Sequence, residues 1–175
     1  MNPLYQSLVQ LQRRLTAAGI ASAVIGGIAV SVWARPRATQ DIDFKVLLDR
    51  DAAQRLLNIL TPDYIPLQAN PLQALQRNGV LFVKNEAGIR IDLQLADTRL
   101  DESAIQRAQT IELEPGVTAQ VCSAEDLIIY KLWYYSLSQQ TKHLRDITSI
   151  VLTLDDQLDY LYIEHWINKK GLTNL

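Results

Sequence analysis

Residues 41–46, Asp-Ile-Asp-Phe-Lys-Val, alternate polar and apolar without a break. That is the period of a strand with one face in a core and the other outside it. Ile42, Phe44 and Val46 share the buried face, so Asp41 and Asp43 leave the opposite face about 7 Å apart along the strand. Aspartate is disfavoured in strands, and two at alternate positions of a strand otherwise built from Ile, Phe and Val mark a surface kept for something other than packing.

The flanking segments fix the rest of the architecture. Leu4, Leu8, Leu11, Leu15 and Ala18 predict a helix over 3–18, stopped by Gly19. Residues 21–26 predict a short apolar strand running into Gly26-Gly27, a tight turn before a helix of about two turns, and 35–40 reads as a loop. Residues 51–60 fit a helix, and Pro62, Pro66 and Pro71 mark a connection before a short helix at 71–77. Gly79–Lys84 and Ile89–Leu95 read as a hairpin, and the second strand alternates again, with Arg90, Asp92 and Gln94 opposite its buried face. Two short strands flank Pro115-Gly116. Ser123 and Asp126 then form a capping-box-like start for a helix from Ala124, on which Leu127, Tyr130, Lys131, Tyr134 and Leu137 share a face. Helices near 141–153 and 156–168 follow, the second capped by Asp155.

The 175 residues are long enough for one core and carry 17 Lys+Arg against 19 Asp+Glu, so no overall positive field holds a polyanion. The expected organisation is a single domain over 1–175, with a sheet core at about 20–122 and a helical part at about 123–175. The single cysteine, Cys122, cannot close an internal bridge, which suits a reducing, cytoplasmic setting. Leu15–Ala34 is twenty residues without a charge, but it is rich in small residues, holds the glycine pair and has arginines at both ends; it reads as a buried segment, with no membrane involved. His143 and His165 lack a partner at ligand spacing and read as ordinary surface or partly packed positions. The aromatic residues Trp33, Trp133, Tyr134 and Tyr135 read as core or interface.

If the strands bearing Asp41, Asp43 and Asp92 are neighbours, three carboxylates meet on one surface, an oxygen set suited to Mg²⁺ that leaves positions for substrate phosphates. Glycines at a strand-to-helix turn let backbone N–H groups approach a phosphate at a helix N-terminus. The run Val24-Ile-Gly-Gly-Ile-Ala-Val, followed by Arg35-Pro-Arg-Ala-Thr-Gln-Asp-Ile-Asp-Phe44, resembles the signature of the polymerase-β-type nucleotidyltransferase superfamily, in its AbiEii-like bacterial branch. The likeness is densest at Arg37, Thr39, Asp41 and Asp43. It continues at Asp92 in Arg90-Ile-Asp-Leu, at Ser123–Leu132 around Lys131, and at Arg145-Asp146-Ile.

The resemblance implies an α/β (α+β) nucleotidyltransferase fold, a small mixed sheet flanked by helices with a helical C-terminal part. It implies transfer of a nucleoside monophosphate from a nucleoside triphosphate (NTP) to a hydroxyl of an RNA, such as a tRNA end, or of a protein, within a toxin–antitoxin type of system with a cognate partner. Mg²⁺, or Mn²⁺ in its place, would be held by Asp41, Asp43 and Asp92, with Asp92 also helping to activate the acceptor hydroxyl. Gly26 and Gly27 would cradle the phosphates and Lys131 would neutralise charge on the triphosphate, while Arg37 and Thr39 either touch the nucleotide or shape the loop. Two other readings stay open: a catalytically idle relative that acts as an antitoxin-like binding module, and a phosphohydrolase with water as acceptor.

Overall fold

A computed structural model describes residues 2–173. Among them lie eight α-helices and seven strands, and the strands form one mixed sheet in the order β3-β4-β5-β2-β1-β7-β6. The chain runs α1 (Pro3–Ala17), β1 (Ser22–Ile25), α2 (Gly26–Trp33), β2 (Ile42–Val46), α3 (Ala53–Leu60), β3 (Tyr64–Pro66), α4 (Pro71–Asn78), β4 (Val80–Asn85), β5 (Arg90–Leu95), α5 (Arg99–Gln106), β6 (Gln109–Glu114), β7 (Val117–Val121), α6 (Ala124–Ser138), α7 (Lys142–Leu154) and α8 (Tyr160–Lys170). The mixed α/β fold is therefore as the sequence implies.

The sheet has an apolar face and a working face. Ile42, Phe44, Val46, Ile91 and Leu93 are fully buried on the first, in the core completed by Leu8, Leu11 and Leu15 of α1, Leu56 and Leu60 of α3 and Leu75 of α4. Burial of these side chains, at about 25 cal/mol per Å² of apolar surface, is the main force holding the layers together. Strand β1 pairs antiparallel with β2, and β2 runs parallel to β5. Between β1 and β7 the ladder is short, and Gln12 of α1 supplements it: its amide donates to the Ser22 and Gln120 carbonyls and its Oε1 accepts from the Gln120 N–H. Helices α2, α5 and α6 lie over the working face, and α7 and α8 pack against α6.

The structure corrects the sequence reading at several points. Gly26 and Gly27 form the first turn of α2 itself, entered through a positive φ of 68° at Gly26, with no separate turn between strand and helix. The proline-rich connection contains the edge strand β3, which tolerates Pro66 because an edge strand has a side free of ladder bonds. Helix α5, not anticipated, starts at a reciprocal capping box between Thr98 and Asp101. The cap of α8 is Asp159, whose side chain accepts from the Tyr162 N–H, whereas Asp155 ends α7. Leu137 is 72% exposed, off the packed side of α6, whereas Leu127, Tyr130 and Lys131 are buried. His143, expected at a surface or partly packed position, is buried against Tyr134, with ring centroids 5.8 Å apart. The uncharged stretch 15–34 is divided among α1, β1 and α2, and among the described residues no helix is long and apolar enough to cross a membrane.

Candidate active site

Asp43 sits at the centre of the working face because three backbone segments converge on it. In register, Asp43 lies opposite Asp92 on β5 and opposite Ile25 at the end of β1. Ile25 leads directly into Gly26, and a Cβ built on Gly26 would lie 1.9 Å from the Asp43 Oδ2. No side chain fits there, so the glycine is required twice, by its left-handed φ and by the carboxylate pressed against it. Gly27 is equally confined: a Cβ would lie 2.6 Å from Thr39 Oγ1 and 3.5 Å from Arg37 Nη2. The loop bearing Arg37 and Thr39 is thereby brought onto the start of α2, where Ser31 Oγ accepts from the Arg37 N–H at 3.3 Å and donates to the Gly27 carbonyl at 3.1 Å.

The electrostatics follow from this crowding. Burial, with Asp92 next, pushes the Asp43 carboxyl up to about 6; Lys131 pulls it down, Asp41 pushes it up again, and a hydrogen bond from the Gly27 backbone opposes the rise. A carboxylate set among two others and short of compensating charge fits a divalent cation, for which hard oxygen donors are the natural ligands. Asp41 precedes β2 by one residue, so its side chain stands at the rim.

The third carboxylate is engaged elsewhere. Arg90, two residues before Asp92 on the same strand face, donates to both its oxygens at 2.7 and 3.0 Å, and the guanidinium lies over the Phe82 ring at 4.7 Å. In this arrangement, among the described residues, no three His, Cys, Asp or Glu side chains already surround one point at ligand distance. Register brings Asp43 and Asp92 side by side, but gathering them about an ion requires Arg90 to release Asp92.

Lys131 enters from α6, where it is buried and paired with Asp146 of α7 at 2.8 Å. Asp146 also takes the Arg37 guanidinium, at 3.3 Å. One buried carboxylate thus holds both expected phosphate-binding cations beside the glycine turn, and neither composition nor periodicity identified it. Tyr134, one helical turn from Lys131, donates to Gln94 Oε1 at 2.8 Å and closes the floor of the site between α6 and β5. His143 lies in the same wall, its Nδ1 unpartnered among the described residues; burial, with Lys131 and Lys142 adding to it, lowers its pKa and favours the neutral ring.

Gly26→Ala tests the crowding directly. The added methyl must displace the Asp43 carboxylate and also adopt a positive φ, which costs about 1–2 kcal/mol in backbone energy alone. If the site carries out the transfer that the resemblance implies, its rate is expected to fall by on the order of 100-fold, as misplacement of a reacting group by about 1 Å produces. Melting measured beside a transfer assay checks both effects, and an Ala variant with wild-type activity would refute the close approach.

Comparison with known proteins agrees with this fold. The chain resembles the crystal structure of an antigenic nucleotidyltransferase-like protein from Paracoccidioides brasiliensis, at 18% identity and a TM-score of 0.55, over 85% of this chain and 75% of that one. ANT(2")-Ia in complex with adenylyl-2"-tobramycin superposes at a TM-score of 0.65 with 14% identity, over 97% of this chain and 99% of the other. The lincosamide antibiotic adenylyltransferase LnuA, bound to lincomycin, gives a TM-score of 0.52 at 13% identity, over 83% and 96% of the two chains. These likenesses establish the fold. No curated protein sequence matches significantly. The family model described as nucleotidyl transferase AbiEii toxin, type IV toxin–antitoxin system, matches residues 11–159, from the middle of α1 to the start of α8, and the chain belongs to that family.

Proposed function

We propose that this protein is an active, metal-dependent nucleotidyltransferase that moves a nucleoside monophosphate from an NTP to a hydroxyl of an RNA or protein acceptor, as the toxin component of a toxin–antitoxin pair. The observation that carries this reading is the placement of Asp43 beside Asp92 on parallel neighbouring strands, with Gly26 and Gly27 opening a helix directly against Asp43.

Asp41, Asp43 and Asp92 would hold Mg²⁺ or Mn²⁺, which when bound neutralises charge on the triphosphate and makes the acceptor hydroxyl easier to deprotonate. The protein's own part is positioning and electrostatic stabilisation. The N–H groups that open α2 and its positive dipole end face the phosphates. Lys131 and Arg37, held by Asp146, stand where negative charge grows as pyrophosphate departs. In the reaction the acceptor oxygen bonds to the α-phosphorus, the bond from that phosphorus to the oxygen bridging it to the β-phosphate breaks, pyrophosphate leaves with the electron pair, and the hydroxyl proton passes to a carboxylate such as Asp92.

A second reading, an idle module that binds a partner, draws on the Arg90–Asp92 pairing, which occupies a carboxylate the chemistry needs. One experiment separates the two. Purified protein is incubated with Mg²⁺, each α-labelled NTP, total RNA and a cell extract. Transfer predicts label in RNA or in a protein band together with stoichiometric pyrophosphate; free phosphate instead would indicate hydrolysis, and no label with no metal-dependent nucleotide binding would leave the idle module.

A further inference from the structure

Beyond the catalytic face, the loop after α2 and the exposed side of α7 enclose a concavity of about 350 Å³ lined by Arg35, Arg37, Lys142, Arg145, Asp146 and Ser149. It adjoins a wider depression of about 530 Å³ that shares Arg35, Arg145 and Ser149 and adds Leu144, Leu152 and the hydroxyls of Thr141 and Thr148, while the Thr153 hydroxyl donates to the Ser149 carbonyl. Asp146 is the acidic residue of the smaller cavity, and its charge is already answered by Arg37 and Lys131. Among the described residues, Arg35, Lys142 and Arg145 make no ion pair and no side-chain hydrogen bond. Three like charges on one concave surface repel one another, and a chain of net charge -2 has no general excess of cations that would scatter them there by default. Thr141, at the N-terminus of α7, places no side-chain cap on the first turn, so the positive end of that helix adds to the same field.

The groove is continuous with the site. Arg37 forms its inner wall and also reaches the start of α2, where its Nη2 lies 3.5 Å from the position of a Cβ on Gly27. We propose that this groove seats the phosphodiester backbone of a nucleic-acid acceptor, with Arg35, Lys142 and Arg145 as acceptor-positioning residues that lead a terminal hydroxyl towards Asp43 and Asp92. The inference rests on the nucleotidyl-transfer reading and selects RNA as the acceptor class. Guanidinium forks and hydroxyls suit phosphate oxygens. The groove lining includes no aromatic side chain on which a base could stack, so contact is with the backbone and carries no base preference.

The test measures anisotropy of a short fluorescein-labelled single-stranded RNA with a free 3′ hydroxyl, across a salt series, without nucleotide or metal. Three neutralised phosphates predict a slope of about −2 in log K against log salt, at about 0.7 per single-strand phosphate. The variant R35A/K142A/R145A, changed only at exposed positions, is expected to bind on the order of tenfold or more weakly and to flatten the slope, while R35K/R145K keeps it. The KM for NTP stays unchanged in both. Unaltered RNA binding in the triple variant overturns the proposal. So does a raised KM for NTP with RNA binding intact, which would make the groove an extension of the triphosphate site, or a loss confined to labelling of a protein band. RNA binding that depends on the groove in a protein that transfers no label defeats the catalytic reading and with it the acceptor role, leaving the groove as an RNA-binding surface.

Discussion

Replacing Asp43 by Asn is expected to abolish nucleotidyl transfer while making the metal-free protein harder to unfold. The activity loss follows from position. Asp43 is the carboxylate on which β1, β2, β5 and the start of α2 converge, and metal-assisted charge stabilisation is worth several kcal/mol, so its removal costs on the order of 10³-fold in rate. The stability gain follows from the raised pKa. Asp43 titrates near 6 in the fold against an ordinary value of 3.8, so the native state holds its proton more tightly than the unfolded chain. Its contribution is whole below the unfolded pKa and is lost as pH rises through about 6, leaving an ionised carboxylate that opposes folding at neutral pH. The shift sets a ceiling of about 3 kcal/mol. Asp43 is partly open to solvent, which reduces the expected gain to about 1–2 kcal/mol, or roughly 2–8 °C in melting temperature. The difference should vanish towards pH 4, and Mg²⁺ should raise the melting temperature of the wild type but not of the variant. Melting across pH, beside the label-transfer assay, reads all of these; retained transfer in the variant would remove Asp43 from the mechanism.

That double signature was half legible in the sequence. Strict alternation identified both carboxylate strands and the face each Asp occupies, because strand periodicity is local. It could not identify β2 and β5 as parallel neighbours, since α3, β3, α4 and β4 intervene in the chain and pairing across such a crossover is decided by the whole sheet. The glycine pair was visible, but its reason was not: Gly26 is forced by a carboxylate that comes from a different strand. The run Arg145-Asp146-Ile was visible as part of the resemblance, but the role of Asp146 escaped for the same cause, since it appears only when α7 packs on α6 and brings the carboxylate to Lys131. Arg90 was nearer to hand. Two positions from Asp92 on an exposed strand face, it is within reach by spacing alone, yet spacing does not say that the side chain folds back along its own strand. Helix α6 was placed well at its capped start, but Leu137, expected on the shared face, is exposed, because large side chains stand on several sides of the helix and no single stripe marks the face that packs.

Asp101→Ala is expected to be among the most destabilising single changes in the protein. Lys45 continues the polar face of β2 two residues beyond Asp43, but α5 and α6 cover it there, and its ammonium is buried 2.9 Å from Asp101 Oδ1 and 4.9 Å over the Tyr130 ring. Asp101 is only 1% exposed, takes the Tyr130 hydroxyl at 2.7 Å and caps α5 through Thr98. Burial raises its carboxyl pKa, but the Lys45 charge and the hydrogen bonds from Thr98, Lys45 and Tyr130 outweigh that and leave it below the ordinary value. Truncation strands an ammonium and a phenol in the interior, a loss of about 3–5 kcal/mol, or roughly 6–20 °C in melting temperature. The sign of the pH dependence is opposite to that of Asp43. With a depressed native pKa, the contribution of Asp101 is whole above 3.8 and is lost as pH falls through the native value, so the gap between wild type and variant narrows in acid. The double variant K45M/D101L separates packing from charge: with no ion left unpaired it should recover most of the lost stability. If it does, and transfer returns with it, the buried pair serves only to seat α5 against the sheet; recovered stability without transfer would mean that Lys45 also sets the charge felt by Asp43.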